Sequence, residues 1–206
     1  PYLKEGENKL AAQVFKWTSS SWCEDQDFFR FSGIYRDVYL YAIPEVHVSD
    51  VKIQTLLDDT FTKADLVIDT KATKAGKVKI TLSKDGKELQ SVEETLAEES
   101  QYVMKVENPE LWSAESPVLY DLLLEVMDEN GQVTEVIPQR VGFRRFEMKD
   151  SIMMLNGKRI VFKGVNRHEF SSVSGRVVSR EELIKDLVTM KQNNINAIRT
   201  CHYPDA

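Results

Sequence analysis

The chain has 206 residues, 42% apolar and 29% charged, an ordinary globular balance that excludes collagen-like, coiled-coil or wholly disordered character. Its 27 basic and 33 acidic side chains leave a net charge of −6, which argues against a nucleic-acid partner because non-specific phosphate binding needs a basic footprint. No apolar run reaches the roughly 18 residues of a membrane span, so no membrane partner is expected.

The opening residues carry charge and no apolar core, so no signal peptide is expected. Cys23 and Cys201 stand far apart and show no metal spacing. A disulfide scaffold is therefore not expected, and a reducing compartment, the cytoplasm, is.

Residues 8–17 form a β-rich run, followed by a serine cluster (Ser19, Ser20, Ser21) and the acidic Glu24-Asp25-Gln26-Asp27. Residues 33–41 alternate apolar and polar and are rich in aromatics, which predicts a strand ended by Pro44. From there to Arg145 short strands recur, at 46–54, 64–72, 77–83, 101–106, 119–127 and 133–141. Lys84-Asp85-Gly86-Lys87 and Glu129-Asn130-Gly131-Gln132 are hairpin signals, because Gly accepts the positive φ that such turns need. About seven short strands in roughly a hundred residues, without a helical period, predict an immunoglobulin-like β-sandwich.

The tail changes period. Asn156-Gly157 marks a hairpin, and 160–165 is a short apolar strand. Ser179 and Glu182 match a capping box, with Leu183, Leu187 and Met190 on one helical face. Asn193-Asn194 closes that helix before a strand at 195–199. Strand, capped helix, strand is a βαβ unit and implies a parallel sheet. Two parallel strands do not make a buried sheet, and the piece before Pro44 is too short for a sandwich. The chain is therefore expected to be a portion of a longer multidomain protein, with boundaries at 1–43, 44–145 and 146–206.

The residues that could carry chemistry follow the two parallel strands, since active sites of αβ barrels lie at the C-terminal strand ends. They are Asn166-Arg167-His168-Glu169 and Arg199-Thr200-Cys201-His202. Of three histidines, His47, His168 and His202, two fall at these ends. The acidic stretch Glu24 to Asp27 offers oxygen ligands for a hard cation, or is simply a solvated loop. Trp22, Trp112, Phe28 and Phe29 are better read as packing residues than as sugar platforms. From the residues alone, a non-catalytic carbohydrate-binding or interaction module or subunit remains the alternative to an enzyme.

Several motifs together resemble the large bacterial β-galactosidases of glycoside hydrolase family two. Glu24-Asp25-Gln26-Asp27 and Phe31-Ser32-Gly33-Ile34-Tyr35-Arg36-Asp37-Val38 resemble the end of that family's sugar-binding jelly-roll domain. The stretch from Asn108 to Pro117 and Val141-Gly142-Phe143-Arg144 resemble its immunoglobulin-like domain. Leu155-Asn156-Gly157-Lys158, Gly164 to Glu169 and Asn196 to Pro204 resemble the opening of its catalytic barrel.

The implied fold is mainly β: a sandwich flanked by the last jelly-roll strands and the first βαβ unit of an incomplete TIM barrel. The implied activity is hydrolysis of terminal β-D-galactose residues with retention. By resemblance Asp27 binds sodium and the galactose 6-hydroxyl, His168 and His202 line the galactose site, and Arg199 lies near the nucleophile. Both catalytic glutamates and the magnesium ligands fall in later barrel strands, so this chain alone is expected to be inactive. Glu169 matches neither glutamate. Asn-Arg-His-Glu favours galactosidase over glucuronidase. The implied partners are a β-galactoside, the rest of the same polypeptide and, at full length, further copies in a homo-oligomer.

Overall fold

The computed structural model describes residues 3–23 and 32–201. The chain divides into two units, one formed by Tyr41–Val161 and the other by Pro1–Leu40 with Phe162–Ala206.

Seven strands build most of the first unit: β1 (Val48–Leu57), β2 (Lys63–Ala72), β3 (Gly76–Lys84), β4 (Lys87–Leu96), β5 (Glu99–Glu107), β6 (Tyr120–Met127) and β7 (Val133–Val141). They form two antiparallel sheets, ordered β1-β2-β5 and β4-β3-β6-β7. Strand alternation supplies the core. Val78, Ile80 and Leu82 on β3 point inward, as do Tyr120, Leu122, Leu124 and Val126 on β6 and Leu66 and Ile68 on β2. They join one cluster with Val48, Leu57, Leu96, Tyr102, Met104 and Phe143. This is the two-sheet sandwich that the strand spacing predicts.

The Asp85-Gly86 turn has φ of 50° and 76°, and Lys84 pairs with Lys87 across it. Both central residues are left-handed, as a two-residue hairpin requires. The second predicted hairpin is looser. Asp128 Oδ1 accepts the backbone N–H groups of Asn130 and Gln132, and Gly131 alone takes a positive φ, of 79°. β4 escapes the sequence pattern. It is an edge strand, KELQSVEETL, with charged and polar side chains along most of its length, a composition that protects an edge from foreign strands.

The motifs at 108–117 and 141–144 meet on this unit. The Trp112 N–H donates to the Phe143 carbonyl at 2.8 Å. A Cβ at Gly142 would stand 3.0 Å from Trp112, so the indole lies where only glycine lets it approach. The Arg144 guanidinium stacks over the same indole, 4.6 Å from its centroid. Glu110 N–H donates to the Tyr120 hydroxyl at 2.9 Å. Trp112 is therefore a packing residue, as expected.

A small antiparallel sheet completes the unit: β8 (Phe146–Lys149), β9 (Ile152–Leu155) and β10 (Lys158–Arg159), in the order β10-β9-β8. Asn156 and Gly157, with φ of 50° and 74°, form the expected hairpin. Asn156 also accepts from Arg145 N–H at 2.9 Å and donates to the Trp112 carbonyl at 3.0 Å. The Asp150-Ser151 turn has the same left-handed geometry without a glycine, so it left no turn signal in the sequence.

Residues 41–161, expressed alone, are expected to fold, because every member of the buried cluster lies within them and a core of this size is sufficient. A single cooperative melt with a β-type circular dichroism spectrum is the expected result. A gradual, coil-like transition would show that the core needs the rest of the chain.

In the other unit, β11 (Gly164–Arg167) and β12 (Ala197–Thr200) pair in parallel, joined through α2 (Arg180–Gln192). The capping box is complete: Ser179 Oγ accepts from Glu182 N–H, and the Glu182 carboxylate accepts from Ser179 N–H. Asn193 caps the helix and Asn194 turns left-handed with φ of 61°.

Two expectations are corrected. Residues 8–17 and 33–41 are not strands: among the described residues neither meets a partner chain segment in a ladder, and strand geometry without a ladder is only extended chain. The serine cluster instead enters a one-turn helix, α1 (Ser20–Cys23), and Trp22 is exposed, stacked on Trp17. The helix face carrying Leu187, with Ile184 and Val188, stays about half exposed, because two strands are too narrow to cover it.

Candidate functional site

Parallel pairing sets β11 and β12 in register, Asn166 opposite Arg199 and Arg167 opposite Thr200. Their C-terminal ends are thereby brought level. His168 follows one and Cys201 follows the other. The Cys201 N–H donates to the Arg167 carbonyl at 3.1 Å, extending the pairing by one step, and its thiol is fully buried. Alternation places Asn166 and Arg199 on one face of the pair, with Arg199 exposed. His168 is half-buried at the strand end. An open cleft of about 270 Å³ runs along this pair, lined by Asn166, Ile198 and Arg199 among others. Larger clefts of about 420 and 500 Å³ lie on sheet β1-β2-β5 and contain none of these residues.

Asp27 and His202 lie outside the described residues, as do Glu24 and Asp25. Carboxylate oxygens are the donors a hard cation prefers, and the side chains of Glu24, Asp25 and Asp27 are of that type. Among the described residues no three His, Cys, Asp or Glu side chains gather as a metal site. His47, the third histidine, is structural: its Nδ1 lies 2.8 Å from Glu135 Oε1, and the same carboxylate accepts the Val48 N–H.

The residues flanking His168 belong to the motif read from the sequence, but the partners that hold them do not show in it. Arg167 is buried, and its Nε and Nη2 reach Asp186 Oδ2 on α2 at 3.2 and 3.0 Å. Glu169 is buried, and its Oε2 lies 3.2 Å from Arg36 Nη2. Arg176 is buried and donates to the Tyr35 hydroxyl at 3.1 Å. Between them, Ser171 and Gly175 exchange two backbone hydrogen bonds, and Ser171 Oγ donates to Glu182. The Ser179 N–H, and then the Ser171 hydroxyl, hold the Glu182 carboxyl below its ordinary value. Its contribution to stability is thus present above its unfolded pKa and lost as pH falls through the lowered folded value. Buried charges such as Arg167 and Glu169 are paired in folded proteins, but their partners lie far away in sequence and leave no periodic signal.

Three consecutive family models match the chain, all of glycosyl hydrolases family 2: the sugar binding domain at residues 1–44, the family 2 domain at 46–144 and the TIM barrel domain at 146–206. They define the class as glycoside hydrolases built from β-domains ahead of a barrel. The chain belongs to glycosyl hydrolase family 2.

It is 49% identical over 211 residues to a β-galactosidase of Halalkalibacterium halodurans, covering 100% of this chain and 21% of that protein. It is 50% identical over 210 residues to a β-galactosidase of Clostridium acetobutylicum, covering 99% and 23%. Among solved structures, the apo β-glucuronidase 3 of Bacteroides uniformis superimposes with a TM-score of 0.78 at 30% identity, covering 89% of this chain and 23% of that one. The chain therefore spans about a fifth of the length of the curated relatives it matches. The mainly-β architecture with a sandwich and a barrel opening agrees with this membership, and the barrel is not closed among the described residues.

Proposed function

We propose that the protein containing this chain hydrolyses terminal non-reducing β-D-galactose residues of lactose-type β-galactosides with retention of configuration. The observation that carries this is the 49–50% identity, across essentially the whole chain, to proteins named β-galactosidase. The glucuronidase likeness is weaker at 30%, and this chain has Asn166-Arg167-His168-Glu169 at the first strand end. A retaining mechanism needs two carboxyl groups about 5–5.5 Å apart. In this reading later barrel strands supply them.

This chain contributes the sugar's surroundings. His168 and His202 donate hydrogen bonds to galactose hydroxyls, and Arg199 adds positive charge beside the nucleophile. Asp27 binds sodium and the 6-hydroxyl. Magnesium, where the family uses it, is held by later residues. We place the protein in the cytoplasm, in keeping with free thiols at Cys23 and Cys201, and by resemblance as a homo-oligomer.

The test is the full-length enzyme on nitrophenyl β-galactoside and β-glucuronide. A kcat/KM preference of roughly a hundredfold or more for the galactoside is expected, and the reverse preference would overturn the reading. Sodium replaced by tetramethylammonium at constant ionic strength should raise KM. Asp27→Ala should remove that response, whereas a wild-type sodium response would make Asp27 an ordinary solvated carboxylate.

A further inference from the structure

We propose that Tyr35 and Arg36 form a clamp on the loop after β11, and that the buried Glu169 is the positioning residue through which this clamp fixes His168. The proposal rests on the reading of His168 as a galactose-site residue and adds to it what holds that residue in place.

The geometry is a bracket. On one side of His168, Arg167 is tied to Asp186 of α2 by two hydrogen bonds, at 3.0 and 3.2 Å. On the other side, Glu169, its side chain only 3% exposed, is tied to Arg36 at 3.2 Å. A side chain between two residues whose own side chains are locked has little backbone freedom of its own. The second arm of the clamp closes the loop. Tyr35, the neighbour of Arg36, accepts a hydrogen bond from the buried Arg176 at 3.1 Å. The Arg176 guanidinium stands 5.3 Å from the Tyr35 ring centroid, and that of Arg36 stands 5.6 Å from the same ring. Two adjacent residues thus grip both ends of the segment from Glu169 to Arg176. Its middle is closed by the Ser171–Gly175 pairing, so a displacement at either grip moves the segment as a piece.

Glu169 acts from behind. Its carboxylate is buried and faces an arginine, which suits holding a backbone and not meeting a sugar. The clamp also makes the barrel's first loop depend on residues 35 and 36, which lie in the segment matched by the sugar-binding model. A misplacement of about 1 Å in a substrate-positioning group can cost about a hundredfold in rate, so a device of this kind is expected wherever a histidine sits on a loop.

The test is a set of variants in the full-length enzyme, assayed on its preferred glycoside. Glu169→Gln keeps the shape and removes the charge. It is expected to lower kcat about tenfold with KM moved less than twofold, and Arg36→Ala to lower it as well, the double variant losing less than the product of the two single losses because the pair interacts directly. The discriminating measurement is made in a His168→Asn background. If Glu169 works through His168, Glu169→Gln there changes kcat less than twofold. A merely structural carboxylate would lower the melting temperature and cost the same factor in both backgrounds, which would overturn the proposal.

If Glu169→Gln does not fold, Tyr35→Phe keeps the ring and deletes only the acceptor for Arg176. It is expected to cost roughly threefold in kcat, again only when His168 is present, and an equal loss in both backgrounds overturns the clamp. A wild-type rate for His168→Asn alone would instead overturn the role given to His168, and the clamp with it. A glycoside preference other than galactoside would overturn the substrate reading and leave the clamp measurable on whichever glycoside is preferred.

Discussion

Phe143→Ala is expected to destabilise the sandwich by about 3–5 kcal/mol, the usual cost of removing a buried aromatic ring. Phe143 is fully buried and follows β7 into the core, where it meets Tyr120 edge-on at 4.9 Å and an interplanar angle of 87°. That geometry is one aromatic pairs favour beyond simple area burial. Its carbonyl also receives the Trp112 N–H, and Leu111 bridges to it in parallel. Backbone on both sides is therefore fixed, and the surrounding residues cannot collapse into the space left behind. A domain of this size has a total stability of about 5–15 kcal/mol, so the substitution removes a large share. The midpoint of thermal unfolding should fall by roughly 10–20 °C. Tyr120→Phe is the matched control. It keeps the ring contact and removes only the acceptor for Glu110 N–H, which should cost about 1 kcal/mol. Urea unfolding of both variants decides the matter: a loss below about 1 kcal/mol for Phe143→Ala would mean the ring is not a keystone of the core.

That pair of substitutions also explains why the family motifs are where they are. Asn108 to Pro117 and Val141 to Arg144 are distant in sequence, yet Trp112, Gly142, Phe143 and Arg144 form one packed corner. The glycine is there because an indole occupies the place of its side chain. These residues serve the fold by packing against one another.

What could be read in advance follows physical locality. The inward strands β3 and β6 show themselves by alternation, and α2 by a capping box whose partners are three residues apart. Asp85-Gly86 and Asn156-Gly157 declare their turns through glycine, whereas Asp150-Ser151 adopts the same geometry silently. β4 is hidden because an edge strand needs polar side chains. Residues 33–41 alternate like a strand, but alternation only describes two faces. A ladder needs a neighbour, and none pairs with them among the described residues. The site divides in the same way. His168 and Arg199 could be placed at strand ends because the βαβ unit is local. The Arg36–Glu169 pair joins residues far apart in the chain, and no pattern in the residues around either one announces it.

His168→Asn and His202→Asn, each made in the full-length enzyme, are expected to lower kcat and kcat/KM together, by roughly ten- to a hundredfold. This follows from the proposed function. Hydrogen bonds to sugar hydroxyls strengthen as the ring flattens toward an oxocarbenium ion, so a donor at the strand end contributes mainly in the transition state. Its loss is comparable to leaving a buried polar group without a partner, about 1–3 kcal/mol, and each 1.4 kcal/mol or so is a tenfold change in rate. The bracket of Arg167–Asp186 and Glu169–Arg36 gives His168 a fixed place from which to donate. The opposing account makes each histidine a brace for its loop, as His47 is for Glu135 and the start of β1. A brace would show a lower melting temperature with activity per folded molecule nearly intact. Measuring thermal midpoint and kcat/KM on the same preparations separates the two. Unchanged kcat/KM for folded protein in both variants would remove both histidines from the galactose site.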